Sequence, residues 1–162
     1  MAIVILGGCA DAVPLELVQR VDACPVPIAD PSIRSLPDVN ASITVPAGWE
    51  EWSGSTWVAF SSDPQQTVWV SIGRRDDLLP DQFPPIEGTE IGQTEVVFAD
   101  GQVRPARVID WIGNGGPNLS IEVVILDDEG TRVVRGTTPP LFAERCRALI
   151  TQMFSTIELD LK

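Results

Sequence analysis

The sequence predicts an α+β domain: an antiparallel β-sheet of about six or seven strands, with one long C-terminal helix packed across a face. Three observations carry this. Short apolar segments alternate with period two between residues 41 and 134, as half-buried strands do. Turn signals separate them, and Asp100-Gly101 is the strongest. Beyond residue 138 the apolar period changes to that of a helix.

The elements follow in order. Residues 10–40 carry Pro14, Pro25, Pro27, Pro31 and Pro37, which reads as a semi-extended tether. A short helix is expected at Leu15–Val21, with Pro14 in its first turn. Ala41–Val45 reads as a strand, ended by Pro46-Ala47-Gly48-Trp49. Thr56–Phe60 and Thr67–Ile72 alternate and are joined by the turn signal Ser62-Asp63-Pro64. Leu78–Phe83 is a short helix or irregular turn before Pro84-Pro85. Thr94–Phe98 and Val103–Ile112 flank Asp100-Gly101 as a hairpin. Leu119–Leu126 and Thr131–Val134 flank the turn Asp127-Asp128-Glu129-Gly130. The loop Gly113-Asn114-Gly115-Gly116-Pro117 lacks a following Lys-Ser/Thr, which argues against a phosphate-binding loop. The final helix takes Thr138 as N-cap and Pro139 as its first residue. Phe142, Cys146, Leu149, Ile150, Met153, Phe154 and Ile157 then form one apolar stripe.

Composition bounds the chemistry. At 162 residues the chain is one domain in size. Eleven Lys and Arg against 23 Asp and Glu give a net charge of −12, which repels phosphate backbones and argues against nucleic acid. There is no His, no Tyr, and Lys162 is the sole lysine. A serine nucleophile therefore lacks a histidine base, and a Cys/His zinc site is excluded. The acidic runs Asp76-Asp77 and Asp127-Asp128-Glu129 read as solvated turns, and Arg74-Arg75 as part of one. No enzyme, metal site or cofactor is expected.

The N-terminus points to export. No segment approaches about 18 consecutive apolar residues, so a membrane-spanning helix is not expected. Leu6-Gly7-Gly8-Cys9 resembles the bacterial lipobox, in which the cysteine receives diacylglycerol and becomes the first residue. Cys9 is thus the expected lipidation site. Residues 1–8 would be what remains of a signal segment, 9–40 the lipidated cysteine and tether, and 41–162 the folded domain. The eight residues before Cys9 are shorter than an ordinary signal peptide and carry no basic group. Outside the cytoplasm, the remaining Cys24 and Cys146 form an even pair, so a Cys24–Cys146 disulfide is expected.

Tryptophans are the candidate binding residues. Period two places Trp57 and Trp69 on the same, more polar sheet face if their strands pair. Trp111 shares a face with Arg107 and Ile109, and Trp52 sits in the acidic loop Glu50-Glu51-Trp52-Ser53-Gly54. Exposed aromatic pairs on a half-polar face suit a sugar ring, a lipid chain or a partner's apolar anchor. The competing reading is a second layer, such as Leu78–Phe83, covering that face. Trp49 reads as structural, closing a strand end.

The order of features resembles the PsbP-like superfamily. A strand runs into Pro46-x-Gly48-Trp49, hairpins follow, a Pro-rich insertion separates the third and fourth strands, and the chain closes on Phe154-Ser155-Thr156-Ile157. Within that superfamily it is similar to the actinobacterial LpqN-type lipoproteins, over about residues 40–160. The resemblance implies an α/β/α-type sandwich and non-enzymatic work, and it supplies no catalytic residues. The expected function is that of a lipoprotein on the extracytoplasmic face of the cell membrane. It would serve a membrane protein complex as accessory subunit or bind a partner protein. An envelope lipid or glycan is the alternative ligand. A cytoplasmic protein-binding domain is the remaining alternative.

Overall fold

The computed structural model describes residues 24, 28, 30–62, 68–75, 88–113, 116–127 and 130–160. Cys9, the helix expected at Leu15–Val21, Leu78–Phe83, Asp76-Asp77 and Asp128-Glu129 lie outside the described residues.

Among the described residues, two sheets and one helix make the body. The strands are β1 (Ser32–Leu36), β2 (Ala41–Val45), β3 (Glu50–Ser53), β4 (Trp57–Ser61), β5 (Trp69–Arg75), β6 (Gly88–Val97), β7 (Val103–Gly113), β8 (Gly116–Asp127), β9 (Gly130–Thr138) and β10 (Glu158–Leu159); the helix α1 spans Ala143–Phe154. The large sheet has seven antiparallel strands in the order β3-β4-β5-β9-β8-β7-β6, and the small one runs β1-β2-β10. The expected sheet and C-terminal helix are therefore present. The chain lays down β3-β4-β5, restarts at the far edge with β6, and returns so that β9 closes against β5.

One face of the large sheet is the core face. Val58 opposes Ile72 and Phe60 opposes Val70 across β4–β5. Ile72 opposes Val134, and Val134 opposes Val123, carrying the apolar surface across β9 and β8. Leu149, Ile150, Met153 and Phe154 of α1 are buried against it, with Leu36, Val39, Ile43 and Val45 from the small sheet's side. Each such side chain contributes about 1.5–3 kcal/mol relative to exposure. Gly136 on β9 is what lets α1 approach: a Cβ there would run into the Ile150 side chain. Trp49 is buried in this core, as a structural tryptophan should be.

Several local details depart from the sequence reading. Thr138 is still β9, opposite Leu119, and α1 begins at Ala143 after a 3-10 turn at Pro140–Phe142. Pro139 precedes Pro140 and so takes an extended ψ of 144°, which excludes it from a helix. Residues 32–40, inside the expected tether, form β1 and a 3-10 turn and bury Leu36 and Val39. Glu50–Ser53, read as a loop, is an edge strand paired to β4.

Two covalent or polar ties hold the small sheet and α1 in place. Cys24 and Cys146 form a disulfide with Cα atoms 5.1 Å apart, across 122 positions of sequence. Arg132, fully buried on β9, donates from Nη1 to the carbonyls of Val39 (2.6 Å) and Asn40 (2.9 Å) and from Nη2 to that of Asp160 (3.1 Å). It thereby joins the large sheet to one end of the small one, where the Asp160 amide also donates to the Asn40 carbonyl (3.0 Å).

The β6–β7 turn shows how a short motif is locked. Asp100 accepts from Arg104 Nη1 (2.9 Å) and Nη2 (2.5 Å), and from the Gln102 amide (2.9 Å). The Arg104 guanidinium also lies 4.6 Å from the Phe98 ring centroid. The Arg104 hydrogen bonds, then that of Gln102, lower the Asp100 carboxyl from 3.8 to about 2. Because the folded value is depressed, the tie is fully present above 3.8 and is lost as pH falls through about 2. A side-chain carboxyl titration by NMR should place the Asp100 midpoint near 2, and Arg104→Gln should return it toward the ordinary carboxylate range. An unchanged midpoint in the variant would assign the shift to another cause.

Candidate functional site

The face of the large sheet opposite α1 carries the candidate site. Directly opposed residues share a face. One row of such residues crosses all seven strands: Trp52, Ala59, Ser71, Arg135, Glu122, Arg107 and Gln93. A second row, two residues along each strand, runs Ser61, Trp69, Thr137, Ser120 and Ile109. On the other side of the first row, Trp57, Gly73, Val133 and Val124 form a third.

Three tryptophans meet on the β3–β5 side of this face. Trp52, Trp57 and Trp69 line a groove of about 420 Å³, with Ser61, Ser71 and Arg135 among its other walls. Trp57 is 44% exposed and Trp52 37%, so two of the indoles are open to solvent. Their positions are fixed by neighbours. Trp52 Nε1 donates to Ser61 Oγ (2.9 Å), which sets its ring plane. The Trp57 indole lies against Gly54, where any side chain would collide with it. The Gly54 amide in turn donates to the Trp57 carbonyl (2.9 Å).

Trp111 shares the sheet face and stands apart from the groove. Its Nε1 donates to Ser120 Oγ (2.9 Å), and Ser120 shares a hydrogen bond with Thr137 Oγ1 (2.7 Å). Thr137 is the direct neighbour of Trp69. The indole N–H of Trp111 is thus used inside the sheet rather than presented to a ligand.

Sequence reasoning missed the charged cluster at the centre of the first row. Glu122 is fully buried. It accepts from Arg107 Nη2 on one side and from Arg135 Nε (3.0 Å) and Nη2 on the other. Two guanidinium groups on one carboxylate leave a surplus of one positive charge. Arg135 brings that surplus to the groove wall. The signal was present as three charges inside otherwise apolar period-two runs, but only the strand register shows that they meet.

No protein-family model and no curated protein matches the chain. Solved structures do. The solution structure of cyanobacterial PsbP (CyanoP) from Synechocystis sp. PCC 6803 superposes with a TM-score of 0.55 at 13% identity, over 83% of this chain and 95% of that one. The fold is PsbP-like. A crystal structure of a protein from Bacteroides thetaiotaomicron VPI-5482 superposes with a TM-score of 0.51 at 13% identity, over 80% of this chain and 48% of that one. In the PsbP-like framework seen here, the tryptophan groove lies on the sheet face that α1 leaves uncovered. Among the described residues no group of three His, Cys, Asp or Glu gathers into a metal-ligating cluster.

Proposed function

We propose that this protein is a non-catalytic, membrane-anchored lipoprotein of the bacterial cell envelope, of LpqN type, that binds a saccharide-bearing envelope component in its tryptophan groove. The observation that carries the reading is the groove itself. Its volume of about 420 Å³ falls in the range of small-ligand sites. Exposed indoles on a stiff sheet offer flat apolar faces at low conformational cost, flanked by Ser71 and Arg135 for hydroxyl groups. The Leu6-Gly7-Gly8-Cys9 sequence supports lipidation at Cys9, and the Cys24–Cys146 bond supports an oxidising compartment.

A second reading is an accessory subunit that docks a partner protein of a membrane complex. The aliphatic corner of the same face favours it: Val97 and Val103 oppose each other across β6–β7 and are both exposed, as is Leu126 on β8. Such a partner would need to cover a broad, partly apolar area.

Native mass spectrometry of the protein released by detergent from the host's membrane fraction tests both. The expected species begins at Cys9, carries two or three acyl chains, and retains a saccharide-bearing ligand that Trp57→Ala loses. Recovery of an unmodified chain in the soluble fraction would remove the anchor and favour the cytoplasmic binding domain. Retention of a large protein complex through gel filtration, indifferent to Trp57→Ala, would select the accessory-subunit reading.

A further inference from the structure

We infer that the saccharide taken by the groove is acidic, of the uronic-acid class, with its ring on the indoles and its single carboxylate at Arg135. This rests on the groove being a saccharide site and adds the charge of the ligand. Among the described residues the charged side chains lining the groove belong to Arg74 and Arg135, and no acid lines it. Glu50 shares the face on the edge strand β3, opposite Ser61, and is not itself part of the lining. Arg135 uses Nε and Nη2 on Glu122, which leaves Nη1 for a ligand.

The buried Glu122 neutralises one of the two guanidinium groups, and a ligand bearing one negative charge would neutralise the other. A neutral sugar would leave a surplus positive charge 79% out of water at Arg135 and 76% at Arg107, whose buried Nε has no hydrogen-bond partner among the described residues. The protein's net charge of −12 opposes an anion at long range. At physiological salt that field is screened beyond about 8 Å, so the cation in the groove governs the bound state.

The test is a tryptophan-fluorescence titration of the full-length protein with defined probes. Methyl galacturonoside and methyl glucuronoside, each with one carboxylate, are compared with the methyl ester of methyl galacturonoside, methyl galactoside and methyl glucoside. At least one acidic probe should bind about tenfold more tightly than the neutral set, since a charge-assisted hydrogen bond is lost in the others. Its affinity should fall between 50 mM and 500 mM salt. Arg135→Gln should erase the preference, and Arg135→Lys should restore part of it. The wild-type comparison of acid with ester stands even if Arg135→Gln unfolds. Equal binding of acid and neutral probes, lost in Trp57→Ala, would overturn the acidic inference and leave the groove as a saccharide site. Binding of no probe would overturn both.

Discussion

Removing the Cys24–Cys146 bond is expected to cost the domain about 3–5 kcal/mol. The bond closes a loop of 122 positions, for which the chain-entropy model gives about 5 kcal/mol at 25 °C. Residual structure in the unfolded chain lowers that figure. Both cysteines are buried, and Cys146 lies on the core stripe of α1, so Cys→Ala leaves small apolar side chains rather than buried polar groups. Against a domain stability of about 5–15 kcal/mol, this is a large share. Urea unfolding of the Cys24→Ala/Cys146→Ala variant should show the midpoint shifted well to lower denaturant. A midpoint within error of the oxidised protein's would mean that the remaining contacts already hold residue 24 to the helix.

Glu122→Ala is the second large effect, expected at about 3–5 kcal/mol. Glu122 has no exposed surface, and its carboxylate is the partner of both Arg107 and Arg135. Without it, two mostly buried guanidinium groups face each other with no counter-charge. The sharper test is a comparison. Replacing all three residues by apolar ones of similar volume, such as Arg107→Met, Glu122→Leu and Arg135→Met, should recover most of the stability. It should also erase the groove's preference for an acidic ligand. If the single variant unfolds at the wild-type midpoint, the cluster is solvated enough to adjust, and no fixed surplus charge stands beside the groove.

Much of the framework was legible because its periods were clean. Ala41–Val45 reads as a strand and is one to the residue. The α1 stripe reads correctly from Cys146 to Phe154 because its buried positions repeat at helical spacing. Trp57 and Trp69 fall on one face because both are odd positions on paired strands whose register keeps parity. What failed lies at edges. β3 is exposed on both faces, so it has no alternation to read. β1 exposes its middle three residues and lies between Pro31 and Pro37, which mimic a linker. β10 is two residues long. The Arg107–Glu122–Arg135 cluster joins residues 15 and 13 positions apart, which only the pairing of β7, β8 and β9 brings together. Glu122 in an apolar run marks an anomaly, while its partners belong to register.

The disulfide also decides how the body takes a pull. Everything before residue 24 is joined covalently to α1 at Cys146 as well as running on toward β1. Force applied at the N-terminal end therefore enters α1 near its first turn, and the helix is seated on the large sheet through Gly136 and Ile150. It does not arrive as a peeling load that would open β1 from β2 one hydrogen bond at a time. The tryptophan face lies on the far side of the sheet from that point of entry.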